Sequence, residues 1–247
     1  MLTNQKFFDA VSDSYDNMIL FNEAVEKKKK YLKEFISSEI QSAADLGCGT
    51  GVDSIALYKL GINVTAFDIS KGMIDKAKQN AEKEKAEINF INKSITEIEH
   101  ENYDKYDFII SLGNSLGNLD EQQLNLSVSI IKNMLRKNGS VVIQILNYIP
   151  VLEKKERIIN ITSDGNFNFV RFYDFKEDYL QFNILKYSIQ NPKDNQIIST
   201  KIYPHKYNYI NNLFKQSGFR KINMYGGLDK SSFSESTSKD LVIHAEV

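Results

Sequence analysis

Between residues 40 and 150 the chain alternates short, mostly apolar runs with helical stretches. The runs Ala43–Leu46, Ile62–Phe67, Ile88–Asn92, Phe108–Leu112 and Ser140–Leu146 are too short for helices. They read as strands buried on both faces, with helices between them, and this alternation predicts a parallel sheet covered on both sides. A helical region from about Phe7 to Ser38 precedes the first strand. After Pro150 the pattern changes. From Arg157 to Tyr203 the runs Phe167–Phe175, Tyr179–Ile189 and Gln196–Ile202 are separated by Ser163-Asp164-Gly165 and Asn191-Pro192-Lys193, which reads as an antiparallel insertion. A helix near Tyr207–Ser217, stopped by Gly218, and strands at Phe219–Tyr225 and Leu241–Glu246 then complete a seven-stranded, mostly parallel sheet. The expected organisation is one domain over 1–247, with an N-terminal helical lid at 1–40 and a β-rich insertion at 151–204.

Composition narrows the picture little. Of the 247 residues 42% are hydrophobic and the formal net charge is −1, so no basic surplus points to nucleic acid. The dense positive run Lys27–Lys30 lies among helix formers and reads as a solvated helix face. A single cysteine rules out an internal disulfide, and no apolar stretch approaches the roughly 20 residues that span a bilayer. Met1–Ala10 lacks a signal-peptide core, which makes the cytoplasm the expected compartment. No H-E-x-x-H or clustered Cys/His pattern implies a metal.

The chemistry concentrates in Asp45-Leu-Gly-Cys-Gly-Thr-Gly51, where the first strand should turn into a helix. Glycines there allow a sharp turn, close approach of the backbone to a ligand, and free N–H groups at the helix start. A dinucleotide fold reads G-x-G-x-x-G; this loop reads G-x-G-x-G, with Asp45 ahead of it. A carboxylate at roughly 4 Å would oppose a pyrophosphate by about 1 kcal/mol in water and about 4 kcal/mol at an effective dielectric of 20. The same group favours a cation, and S-adenosylmethionine carries an ammonium and a sulfonium. Asp68, ending the second strand, is placed to accept from both ribose hydroxyls. Ser70 reads as the N-cap of a helix from Lys71 to about Lys83, with Met73 in its first turn, where it either meets the nucleoside or packs in the core. Cys48 fills a tight turn and has no histidine near it in sequence to make it a nucleophile.

The heptapeptide and its flanks resemble motif I of the class I S-adenosylmethionine-dependent methyltransferases. The resemblance implies a Rossmann-like α/β fold and S-adenosylmethionine as cofactor, with S-adenosylhomocysteine as product. The cofactor set it implies is Asp45, Gly47, Cys48, Gly49, Gly51, Asp68, Ile69, Met73, Ser94, Ile95 and Leu112, with Tyr15 closing over it from the N-terminal helices. Tyr15 reads equally as part of an amphipathic face with Phe7, Phe8, Ile19 and Leu20.

Ser111-Leu-Gly-Asn-Ser-Leu-Gly-Asn-Leu119 follows the fourth strand, where ligands of open α/β sheets bind. Asn114 and Asn118 can orient a polar acceptor but are not bases. This segment resembles C-L-G-N-S-F-x-H-L of the glycine and glycine/sarcosine N-methyltransferases, and Asn147-Tyr148 matches the Asn-Tyr of their R-N-Y-D motif. Tyr203-Pro204, Tyr209, Gly218-Phe219 and Tyr225-Gly226 follow in the same order. The resemblance implies that Asn114, Asn147 and Tyr148 position the substrate. It also exposes departures. Leu146 stands where the family arginine would hold a glycine carboxylate, a loss worth roughly 10- to 150-fold in affinity unless another cation substitutes. Glu23 replaces an N-terminal arginine that reaches the cofactor carboxylate, with Lys27 one turn on as the candidate substitute. Ser94 replaces an acid near the adenine and Asn118 a histidine. His205 stands beside Tyr203 and Tyr207 as a candidate base, or as a packing residue.

The expected partner is therefore a small-molecule methyl acceptor, with an amine of the glycine/sarcosine type a candidate, no nucleic acid and no membrane, in a monomer or homodimer. Two alternatives stay open at this level: a non-catalytic S-adenosylmethionine-binding protein, which would explain the departures, and an NAD-dependent oxidoreductase, which would share Asp68 and the sheet.

Overall fold

The computed structural model describes all 247 residues. The chain begins with α1 (Asn4–Ile19), α2 (Phe21–Leu32) and a 3-10 turn at Lys33–Phe35. It continues through β1 (Ser42–Leu46), α3 (Val52–Tyr58), β2 (Asn63–Asp68), α4 (Lys71–Lys83), β3 (Asn89–Asn92), β4 (Tyr106–Ser111), α5 (Glu121–Met134) and β5 (Leu135–Leu146). After α6 (Tyr148–Lys154) come β6 (Ile158–Ser163), β7 (Phe167–Phe175), β8 (Leu180–Ser188) and β9 (Asn195–Ile202). The chain ends with α7 (Tyr207–Gln216), β10 (Arg220–Tyr225) and β11 (Asp240–Glu246).

The main sheet runs β10-β11-β5-β4-β1-β2-β3, parallel except for β11, which is antiparallel to both neighbours. Successive residues of β4 supply opposite cores. Ile109 joins Leu46, Phe67, Val141 and Ile143 on one face, while Phe108 and Ile110 join Ala43, Leu57, Val64 and Val142 on the other. The apolar runs of the central strands thus arise because both faces are covered, whereas β3, at the edge of the sheet, carries no fully buried residue and departs from that expectation. After β1 the chain builds β2 and β3 on one side and then crosses to β4 on the other, so the strand order reverses at the carboxyl ends of β1 and β4.

Two features differ from the sequence reading. The N-terminal helical region is split at Leu20, which takes φ 54° and ends α1 by returning its N–H to the Asp16 carbonyl. The break lets the two helices serve different surfaces. Val25 of α2 packs on Val52 and Ile55 of α3, while Phe7, Val11 and Met18 of α1 pack on Met73, Phe169 and Ile184. The insertion also has a fourth strand, β6, beyond the three runs read from the sequence. Ile158 and Ile161 on it are 60% exposed, so burial gives that strand little of the signal it gives the others.

The insertion forms a separate antiparallel sheet in the order β6-β7-β8-β9. It lies over the carboxyl ends of the main strands: the Tyr203 N–H donates to the Gly117 carbonyl at 2.8 Å, and Leu2 ahead of α1 donates to the Ser199 carbonyl at 2.9 Å. No helix is long and apolar enough to cross a membrane.

Candidate active site

The loop after β1 is held from three directions. The Gly47 and Cys48 N–H groups both donate to the Phe67 carbonyl, and the Gly49 N–H donates to Asp68 Oδ2 at 2.8 Å. Gly47 has φ 80°, and a Cβ on it would lie 2.5 Å from Ser115 Oγ, so glycine is required for the loops after β1 and β4 to touch. Gly49 has φ 53°, and a Cβ there would meet nothing within 4 Å, because it would project into a cavity. A Cβ on Gly51 would come to 3.3 Å from Ala77, so that glycine brings α4 close to the loop.

That cavity encloses about 400 Å³ and is lined by Gly47, Gly49, Asp68, Ile69, Met73, Ser94, Ile95 and Tyr15 of the residues singled out from the sequence. Asp68 is buried, and its other oxygen, Oδ1, accepts the Ser70 N–H at 2.8 Å. Burial pushes its carboxyl up to about 6; the N–H bonds of Ser70 and Gly49 oppose that rise and the Asp9 charge adds to it. Ser70 caps α4 as expected, accepting the Met73 N–H at 3.1 Å. Ser94 caps the short turn Ile95–Glu97, accepting the Thr96 N–H.

Asp45 does not line the cavity. It lies beneath the loop, buried, and its Oδ2 accepts from Ser54 Oγ at 2.6 Å. Burial and the nearby Asp53 charge raise its carboxyl above the usual range. Cys48 and Leu112 face the core rather than the cavity, and burial pushes the Cys48 thiol well up, which makes it a poor nucleophile.

A second cavity of about 400 Å³ adjoins the first, and the two share Phe8, Tyr15, Gly113 and Asn118. Asn114 and Leu146 line it, together with Gln144, Arg171, Tyr173 and Asp240. Asn114 takes φ 73°, and its Oδ1 accepts both the Leu146 N–H at 3.0 Å and the Tyr148 hydroxyl at 2.8 Å. The Leu146 amide can only donate, which fixes the orientation of the Asn114 side chain. Gly117 must be glycine here, because a Cβ would stand 2.5 Å from the Tyr148 hydroxyl.

Tyr148 itself is buried behind Asn114 and lines neither cavity. The Asn147 side chain is turned away: its Nδ2 donates to the carbonyls of Glu235 at 2.7 Å and Ser238 at 2.9 Å, and its Oδ1 caps α6. His205 also lies outside both cavities. Its Nε2 is bonded to the Leu119 carbonyl at 2.7 Å, which requires the proton on that nitrogen, and its ring stacks between Tyr203 and Tyr209. Lys27 and Glu23 line a third hollow, so Lys27 does not reach into the cavity beside the glycine loop.

Residues 43–139, which build the glycine loop, Asp68 and the Asn114 segment, match the family model described as Methyltransferase domain. Over those residues the chain carries a methyltransferase domain, and its sheet is that of the class I S-adenosylmethionine-dependent methyltransferases. This methyltransferase is 22% identical over 231 residues to a glycine/sarcosine N-methyltransferase of Parasynechococcus marenigrum (strain WH8102), covering 90% of this chain and 78% of that one. It is 34% identical over 120 residues to glycine N-methyltransferase of Mus musculus, covering 44% of this chain and 41% of that one. The fold matches an S-adenosylmethionine-dependent methyltransferase from Clostridium acetobutylicum ATCC 824 with a TM-score of 0.78 at 15% identity, covering 97% of this chain and 98% of that one.

S-adenosylmethionine is the cofactor of the methyltransferase, and the cavity beside the glycine loop has the chemistry to hold it. Gly49 leaves space for backbone approach, Asp68 offers oxygen lone pairs beyond those its backbone donors use, and Ile69, Met73 and Ile95 give apolar walls. Sequence reasoning missed Phe8, Gln144, Arg171, Tyr173 and Asp240 as cavity residues. One signal was present for Arg171: it stands two residues from Phe169 and two from Tyr173, so a charge occupies the face of β7 that those two buried aromatics share.

Proposed function

We propose that this methyltransferase methylates the nitrogen of a small amine, with glycine and sarcosine the first acceptors to test. The observation that carries the reading is the shared wall of the two cavities, Phe8, Tyr15, Gly113 and Asn118, across which a cofactor in one meets an acceptor in the other. Relatives described as glycine/sarcosine N-methyltransferases support the choice of acceptor.

S-adenosylmethionine supplies a methyl group already made electrophilic by its sulfonium. On this reading Asp68 accepts from the ribose hydroxyls, Gly47 and Gly49 let the backbone approach, and Met73, Ile69 and Ile95 pack on the nucleoside, with Ser94 at its edge. Tyr15 and Phe8 of α1 close over the junction of the cavities and exclude water, which is the role of a lid. Asn114, fixed by Leu146 and Tyr148, presents its amide to the acceptor. Alignment of the reacting atoms carries most of the rate.

The lining of the second cavity favours nitrogen over a hydroxyl acceptor. An ammonium group can lose its proton to water before transfer, whereas an alcohol needs a strong base at the moment of attack. No histidine lines that cavity, burial raises the hydroxyl groups of Tyr15 and Tyr173 and keeps both protonated, and its one carboxylate, Asp240, is engaged by the Gln144 amide at 3.1 Å. Mass-spectrometric analysis of products from methyl-labelled S-adenosylmethionine with glycine, sarcosine, ethanolamine and a simple alcohol tests the reading. Labelled N-methyl product is expected, and O-methyl product alone contradicts it.

A further inference from the structure

We propose that Arg171, supplied by the insertion, is the specificity-determining residue of the acceptor cavity and holds a carboxylate on the acceptor. The proposal rests on the reading that the second cavity takes a small amine. It assigns to β7 the charge that Leu146 lacks.

Four observations lead to it. Arg171 lines the same cavity as Leu146 and Asn114. Its Nε donates to Asn160 Oδ1 at 2.6 Å, which fixes the side chain, but neither Nη has a hydrogen-bond partner and no carboxylate lies within ion-pair distance. Arg157 on β6's approach and Arg136 on β5 each have one, in Asp174 and Asp107. A guanidinium carries five N–H groups in a planar fork, so four remain to meet a ligand.

The surroundings accentuate the lack of a partner. Arg171 is partly buried, burial lowers its pKa, and the titratable groups facing it are the hydroxyls of Tyr15 and Tyr173 rather than an acid. Asn114 Nδ2, in the same cavity, has no acceptor either, while its Oδ1 is fully used. Lys239 lines the cavity without an ion pair, and the one carboxylate there, Asp240, accepts from Gln144 at 3.1 Å. Arg171 and Lys239 thus give the cavity more positive charge than Asp240 balances, and its unpartnered buried acceptor, Gln144 Oε1, is uncharged. An unpartnered, partly desolvated guanidinium is costly unless a ligand meets it, and a carboxylate matches its fork with two parallel hydrogen bonds.

The test compares glycine with glycinamide, which keeps the amine and replaces the carboxylate, using the full chain and Arg171→Gln and Arg171→Lys variants. Arg171→Gln is expected to raise KM for glycine by 10- to 150-fold with a much smaller change in kcat, and to leave glycinamide unaffected. Arg171→Lys should recover part of the loss, and S-adenosylhomocysteine affinity should be unchanged in both variants, which reports an intact fold. Equal glycine KM in wild type and Arg171→Gln overturns the proposal. If the wild type methylates no amine, the amine reading fails; sodium acetate titrated into the S-adenosylhomocysteine-loaded protein then reads the anion site separately. Acetate binding lost in Arg171→Gln sustains the assignment, and absent or unaltered binding refutes it.

Discussion

Asp68 Oδ2 accepts the N–H of Gly49 at 2.8 Å, and this bond ties the end of β2 to the loop after β1. The carboxylate thereby shapes the glycine loop while it lines the cavity beside it. Replacing Asp68 with Ala should weaken S-adenosylhomocysteine binding at least tenfold, since hydrogen bonds to a charged group are worth about 1.5–3 kcal/mol. Calorimetric titration, with circular dichroism to report folding, checks this; unchanged affinity in a folded variant removes Asp68 from the ribose role.

If Asp68 holds the ribose as proposed, the same carboxyl gives cofactor binding a pH dependence. Its pKa in the folded protein is raised from 3.8 to about 6, chiefly by burial. The folded state therefore takes up a proton before the unfolded state does, so this group favours folding at acid pH and loses that contribution as pH rises through about 6. On the proposed reading the ionised form is the better acceptor for the ribose hydroxyls, so cofactor binding runs the opposite way. Affinity for S-adenosylhomocysteine should fall as pH drops from 7 to 5, and the thermal stabilisation it gives should shrink in parallel. Asp68→Asn should lose this dependence.

Two glycines of one loop should fail differently when changed to alanine. A methyl on Gly47 would run into Ser115 Oγ and Cβ at 2.5 and 2.7 Å with φ at 80°, so Gly47→Ala should lower the melting temperature and weaken cofactor binding with it. Gly49→Ala meets open space and carries mainly the left-handed backbone cost of about 1–2 kcal/mol. Its larger effect should be on affinity, because the methyl occupies the cavity. Differential scanning calorimetry beside titration separates the two.

Tyr148→Phe removes one of the two donors that fix Asn114 and leaves the Leu146 N–H in place. The stability loss should be about 0.5–1.5 kcal/mol, the net worth of one hydrogen bond. On the proposed reading kcat falls while affinity for S-adenosylhomocysteine holds, because Asn114 lines the acceptor cavity. Steady-state kinetics with a denaturant melt of the variant tests this.

The main sheet was legible because each of its strands is short and apolar or bounded by turn residues, and the glycine loop because its spacing is tied to chemistry. Asp68 and Met73 could be brought to one cavity from sequence because they sit at a strand end and in a first helical turn, where topology fixes direction, whereas Tyr15, well along α1, came only from the resemblance. The roles of Asn147 and Tyr148 could not be told apart that way. Adjacent residues at a helix start point to different places, and here Asn147 ties down the segment containing Glu235 and Ser238 while Tyr148 backs Asn114. Strand β6 and the break at Leu20 escaped for a different reason. Exposed isoleucines give no burial pattern, and leucine is not a residue whose presence announces a positive φ.

The proposed function joins cofactor to amine across the two adjoining cavities. It is tested most directly by incubating the protein with methyl-labelled S-adenosylmethionine and glycine or sarcosine, and following S-adenosylhomocysteine and the labelled product by mass spectrometry. Equal amounts of S-adenosylhomocysteine and N-methylated product are expected. S-adenosylmethionine binding with no methylation of these or any other small amine would contradict it.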